Sequence, residues 1–167
     1  MYERILVPID GSAPAASGLD EAIKVAKLTG ATVRLLHVLD QFVFATGFET
    51  GATYMKDVLP KMRKSGDQLV GAARARVIAA GVPVDTLVCE CFARRTSDIV
   101  LEQAEAWKAD LIVLGTHGRR GMSRAMLGSD AEQVVRGASI PVLLVRAAEA
   151  AENRAPGEKP AAVHAAA

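Results

Sequence analysis

Cysteine, aromatic residues and net charge are all scarce in this chain. The two cysteines, Cys89 and Cys91, stand two positions apart, and alternate residues of a strand hold their Cα atoms too far apart for an easy disulfide. They are read as free thiols and as two buried strand residues. The three histidines, His37, His117 and His164, are scattered, so the pair lacks the further ligands that a zinc site needs. Twenty Lys and Arg against nineteen Asp and Glu leave a net charge of +1, so no global field favours nucleic acid or an anionic membrane. Any charge on a ligand has to be met locally. No apolar run approaches the roughly 20 residues of a membrane-crossing helix. The opening Met1-Tyr-Glu-Arg runs directly into Ile5-Leu-Val, without the apolar core and small-residue cleavage site of a secretory signal. A soluble, cytoplasmic protein with no membrane or nucleic-acid partner is expected. A G-x-x-x-x-G-K-[ST] phosphate loop is missing too, as are a nucleophilic serine with supporting His and Asp and a paired carboxylate motif at the candidate site described below. Fast chemistry is therefore not expected.

What is present is apolar and regularly punctuated. Half of the 167 residues are hydrophobic, enough for one sizeable core in one domain. Arg4-Ile-Leu-Val-Pro-Ile9 reads as a strand, and Asp10-Gly11-Ser12 as a turn into a helix. Leu19, Ala22, Ile23 and Ala26 recur at helical spacing up to Gly30. Ala31 to Leu39 is a second strand, apolar enough to be covered on both faces. The stretch from Asp40 to Thr53 has neither period and reads as a long loop with hydrophobic anchors. A helical stripe from Met55 to Val77 follows, with Pro60 kinking or starting the helix, and Gly81 stops it. Val82 to Glu90 is a strand whose early proline suits a sheet edge.

The second half repeats the alternation. A helix begins near Thr96 or Ser97 with Asp98 in its first turn, and its Ile99, Val100, Ala104 and Trp107 face inward. Asp110-Leu-Ile-Val-Leu-Gly115 is the most apolar strand, and a glycine-rich loop follows from Gly115 to Gly128. Ser129-Asp-Ala-Glu132 has the pattern of a capping box opening another helix. Ile140 to Arg146 makes a last strand. Residues 1–148 are read as one domain, and residues 149–167 as an alanine-rich tail expected to be disordered. Five strands alternating with helices imply a parallel sheet with right-handed crossovers, whose ligands bind beyond the carboxyl ends of the strands where the strand order reverses. The ends of the first and fourth strands are the candidate positions.

Gly115-Thr-His-Gly118, nine further residues, then Gly128-Ser129 form a spacing with physical sense. Gly115 and Gly118 would let backbone amides close on an oligophosphate without Cβ obstruction, and Gly128 and Ser129 would bring a helix amino terminus to the same anion. Arg119, Arg120 and Arg124 add positive charge, and Asp10 stands at the end of the first strand. Ser129 serves equally as phosphate donor or as helix cap in this reading.

This pattern, together with Ile5-Leu-Val-Pro-Ile-Asp10 and Pro141-Val-Leu-Leu-Val145, resembles the ATP-binding universal stress proteins from about Arg4 to Arg146. The expected architecture is then α/β: a single doubly wound domain with a five-stranded parallel sheet in the order 3-2-1-4-5 and helices on both faces. The resemblance implies that Pro8, Ile9 and Asp10 contact the nucleoside, with Asp10 near the ribose or a magnesium ion on the phosphates. It implies that the backbone of Val38 lies by adenine, and that Gly115, His117, Gly118, Arg119, Gly128, Ser129 and Asp130 form the phosphate and ribose loop. The plainer alternatives are that Asp10 caps the first helix and that His37 is a satisfied core histidine. The implied function is an ATP-binding stress-response regulator with slow or no hydrolysis, homodimeric through its last strand, with protein partners that the sequence does not name. An enzyme using ATP with a second substrate, and a scaffold of the same fold without nucleotide, are the rival readings.

Overall fold

The computed structural model describes residues 1–40, 54–91, 94–116 and 127–147. Strand β1 spans Arg4–Pro8, helix α1 Ala13–Thr29 and strand β2 Thr32–Asp40. A π-helical turn, Tyr54–Val58, leads into α2, Leu59–Ala79. Then come β3, Val84–Cys91, α3, Thr96–Ala106, β4, Leu111–Gly115, α4, Ser129–Gly137, and β5, Val142–Val145. The strands form one all-parallel sheet in the order β3-β2-β1-β4-β5, as expected. Of the loop expected from Asp40 to Thr53, Asp40 instead ends β2, and residues 41–53 lie outside the described residues, as does the tail from 149.

Strand parity explains the two layers. Successive side chains of a strand point to opposite faces, and the central strands keep the same phase. Ile5, Val7, Val33, Leu35, Leu111 and Val113 pack with Leu19, Ala22 and Ala26 of α1 and Val70, Ala73 and Val77 of α2. Leu6, Leu36, Ile112 and Leu114 pack on the other face with Val100 and Ala104 of α3 and Ala131 and Val134 of α4. Both faces are covered, which is why these strands read as nearly continuous apolar runs. Each fully buried Ile, Leu or Val contributes about 1.5–3 kcal/mol.

The punctuation works as written in most places. The Ser12 hydroxyl caps α1 by accepting the Ala15 amide at 3.3 Å, and Gly30 ends that helix. Pro60 stands in the first turn of α2, directly after the π-helical turn Tyr54–Val58, so the chain is already helical when it reaches the proline, which marks the change from π to α pairing. Strand β3 is a sheet edge, and Pro83 precedes it while its carbonyl still accepts the Val33 amide at 2.9 Å. Ile99, Val100 and Ala104 are buried as expected, whereas Trp107 is half-buried at the end of α3. Its ring lies 4.4 Å below the guanidinium of Arg34, which also pairs with Asp85. Both cysteines are free, with Cys91 buried and Cys89 only half-buried.

Candidate functional site

The strand order reverses between β1 and β4, because the chain leaves β1 toward β2 and leaves β4 toward β5. Their carboxyl ends therefore flank a crevice that no crossover covers. At the exit of β1, the Ile9 amide donates to the Leu36 carbonyl at 2.8 Å, and the Ile9 carbonyl lies 2.8 Å from Nδ1 of His37. A carbonyl only accepts, so Nδ1 carries the proton. His37 is 4% exposed, which makes it the satisfied core histidine of the plainer reading. Gly11 follows at φ 83°, a left-handed conformation suited to glycine, and turns the chain into α1. The Asp10 carboxylate accepts the Ser12 amide at 2.9 Å. The alternative that Asp10 caps α1 is thus corrected: Ser12 holds that place, and Asp10 shapes the turn before it.

Strand β2 continues past β1. Its even-numbered residues turn their peptide groups toward β1, as the Thr32 amide on the Glu3 carbonyl and the Leu36 carbonyl on the Ile9 amide show. The odd-numbered Val33 instead donates to Pro83, on the β3 side. Val38 shares the parity of Leu36 and lies beyond Pro8, the last β1 residue paired with β2. Its peptide N–H and C=O are therefore turned toward the crevice, while its side chain packs against the α3 and α4 layer.

At the exit of β4, Gly115 has a reason for being glycine that the sequence did not disclose. A Cβ there would lie 2.5 Å from the Pro14 carbonyl carbon, 2.6 Å from its oxygen and 2.8 Å from the Ala15 nitrogen. The first turn of α1 thus sits on Gly115, whatever else approaches it. Beyond it, buried Thr116 donates its amide to the Val145 carbonyl at 2.9 Å and accepts the Gly128 amide at 2.9 Å. This pair ties the two ends of the glycine-rich segment together, and no local sequence signal marked Thr116 for it. His117, Gly118 and Arg119 lie outside the described residues, as do Arg120 and Arg124.

Helix α4 opens on the crevice, but the expected capping box is not formed. Gly128 occupies the cap position, Ser129 is the first helical residue, and the Glu132 amide closes the first turn on the Gly128 carbonyl at 2.9 Å. The Glu132 carboxylate reaches forward to Arg136, 3.0 Å from its Nε, and not back to the start of the helix. The helix begins one residue earlier than the pattern suggested, which takes Ser129 out of cap geometry. Its hydroxyl is exposed, and the cap residue Gly128 brings no side chain of its own to this helix end, where the peptide dipoles favour an anion. Pro8, Ile9, Asp10, Val38, Gly115, Gly128, Ser129 and Asp130 all come from segments at this end of the sheet.

Among the described residues, no group of three His, Cys, Asp or Glu could hold a metal ion by itself. Burial pushes the Cys89 thiol pKa up, with Glu102 adding to that shift and Arg34 opposing it, so a reactive thiolate is disfavoured. A concavity lined by Met1, Tyr2, Thr29 and Asp110 lies at the opposite, amino end of the sheet. Its carboxylate is engaged in structure, accepting the amides of Glu3 at 2.7 Å and Arg4 at 3.1 Å. Among the described residues, no helix is long and apolar enough to cross a membrane.

Comparison with known proteins adds the following. The model of the universal stress protein family matches residues 1–146. A universal stress protein of Methanocaldococcus jannaschii is 32% identical over 146 residues, covering 87% of this chain and 83% of that protein. The universal stress protein YxiE of Bacillus subtilis is 30% identical over 151 residues, covering 87% of this chain and all of that one. Among solved structures, the universal stress protein from Archaeoglobus fulgidus in complex with dAMP aligns with a TM-score of 0.63. That alignment covers 86% of this chain and 98% of the other at 23% identity, a likeness of fold.

Proposed function

The chain belongs to the universal stress protein family, and on that premise we propose that it is a stress-response regulator that binds an adenine nucleotide, ATP with magnesium, and turns it over slowly or not at all. The observation that carries this reading is the pairing of two open polar edges across one crevice. On one side stand the peptide groups of Val38, and on the other the amino terminus of α4, whose cap residue is Gly128, with Ser129 exposed. A base presents donors and acceptors along its edge, and a phosphate chain presents anionic oxygens, so the two edges suit the two ends of a nucleotide. The complex of the Archaeoglobus fulgidus protein with dAMP supports the choice of adenine.

In this arrangement Pro8, Ile9 and Asp10 lie along the nucleoside. Gly115, His117, Gly118, Arg119, Gly128, Ser129 and Asp130 surround the phosphates. Magnesium would neutralise phosphate charge, and it would arrive with the nucleotide, since the described residues hold no metal-binding group of their own and Asp10 is the carboxylate assigned to its side. The edge strand β5, with Val142 to Val145 all half-buried, suits pairing with a second copy, which would remove an open edge.

Calorimetry with ATP and magnesium tests the proposal. Binding that Gly118→Val abolishes supports it. No heat at high protein concentration favours the scaffold, and release of AMP or pyrophosphate dependent on a second compound favours the enzyme. Light scattering tests the dimer, and a clean monomer at micromolar concentration removes it.

A further inference from the structure

Among the described residues, one buried side-chain polar atom remains unexplained by the fold. The hydroxyl of Ser97 has no hydrogen-bond partner, although the residue is 1% exposed. Such a group gives up its bonds to water and gains none in return, so an alanine at this position would suit the folded chain better. Ser97 lies in the first turn of α3, in helical phase with Val100 and Ala104, which pack onto the sheet. Helices that connect parallel strands run opposite to them, so this first turn overlies the carboxyl ends of β2 and β3. Val38 and Cys89, partners in the β2–β3 register near those ends, pack against the same apolar cluster as Val100 and Ala104. The turn is also open: Arg95, the residue at the cap position, makes no side-chain cap bond.

We infer that Ser97 is a base-reading residue, its hydroxyl accepting a hydrogen bond from the exocyclic 6-amino group of the purine held beside Val38. This rests on the nucleotide reading above and deepens it. The peptide groups of Val38 mark where the base edge lies, and Ser97 supplies a side-chain acceptor on the α3 side of the same residue. The unsatisfied hydroxyl is then a group kept in reserve for the ligand. A purine without the amino group cannot use it.

The test is Ser97→Ala in the full chain, with calorimetry against ATP and against the triphosphate of purine riboside, which lacks the 6-amino group. In the nucleotide-free protein the variant melts at the same temperature as the parent or higher. Its ATP affinity falls about 3- to 10-fold, the range of one neutral hydrogen bond. The purine riboside triphosphate binds parent and variant equally, and Ser97→Cys, which keeps the shape and weakens the acceptor, falls between parent and alanine with ATP. An alanine variant that binds ATP as the parent does overturns the inference, as does one that loses both ligands by the same factor. A parent protein that binds neither ligand fails at an earlier step and removes the nucleotide reading itself.

Discussion

His37 donates from Nδ1 to the carbonyl of Ile9 across 2.8 Å, at the point where β1 stops pairing with β2. In a continued parallel ladder that carbonyl would have met the amide of Val38. The imidazole stands in its place, so the ladder ends and the peptide edge of Val38 is turned to the crevice. One side chain thereby both terminates a strand pair and leaves a peptide edge facing the crevice.

Replacing it should show both effects. His37→Leu removes the donor and leaves a buried carbonyl to find another, at a cost of about 1–3 kcal/mol. If Val38 becomes that other donor, nucleotide affinity falls beyond what the stability change explains. Urea denaturation and ATP calorimetry on the same preparation separate the two.

Gly66 of α2 lies over the same ring. A Cβ on it would be 2.9 Å from Cδ2 of His37 and 3.1 Å from Cδ2 of Leu39. Gly66→Ala gains about 1 kcal/mol of helix propensity, but overpacking a buried ring costs about 1–3 kcal/mol. The single variant should be less stable than the parent. Combined with His37→Ala, the same change should become stabilising, with a coupling above about 1 kcal/mol in a double-mutant cycle. Additive behaviour would mean that the helix simply slides.

Gly115→Ala meets backbone on every side, with all three nearest atoms in Pro14 and Ala15. The amino terminus of α1 has to move, and the expected loss is about 3 kcal/mol, at the upper end of overpacking costs. Thermal melts read it directly. A loss within 0.5 kcal/mol, the roughly neutral range of surface changes, would show that α1 is not seated on β4 as described.

Ser12 and Ser129 make a paired control. Ser12 caps α1 through its hydroxyl, and Ser12→Ala should cost about 1 kcal/mol. Ser129 stands one residue inside α4 and does not cap it, so Ser129→Ala should leave stability nearly unchanged while weakening ATP. Equal losses of stability in the two variants would restore the capping box.

Burial raises the Cys89 pKa, with Glu102 also raising it and Arg34 lowering it. A raised thiol pKa means that the unfolded chain releases this proton first as pH climbs, so it binds fewer protons than the folded one. The stability contributed by the neutral thiol is therefore complete at neutral pH and declines above the ordinary thiol value of 9.0. Denaturation midpoints measured from pH 8 to 10 should fall more steeply for the parent than for Cys89→Ala. Parallel slopes would remove the assignment.

Much of the fold was legible because its cues are local. The continuous apolar runs at Ile5 to Val7 and Leu111 to Leu114, the stripe through Val70, Ala73 and Val77, and the stops at Gly30 and Gly81 each lie within one element. The capping box failed for a reason of the same scale: Ser129 and Glu132 have the right spacing, but the helix starts a residue earlier, and Glu132 finds Arg136 instead. Of the candidate site, Pro8, Ile9, Asp10, Val38, Gly115 and Gly128 were marked by family pattern and glycine spacing, although Gly115 meets α1 whatever its part in binding.

By itself the sequence determined which segments are strands and helices, that the central strands are covered on both faces, and that a net charge of +1 gives no global field for nucleic acid or membrane. Those properties follow from the periodicity and composition of neighbouring residues. Only the tertiary structure decided that Pro14 presses on Gly115, that His37 takes the Ile9 carbonyl, that Thr116 holds Gly128, and that Ser97 is sealed from water without a partner. These contacts join residues far apart in the chain. Their geometry depends on how whole elements pack, and no short window of sequence carries it.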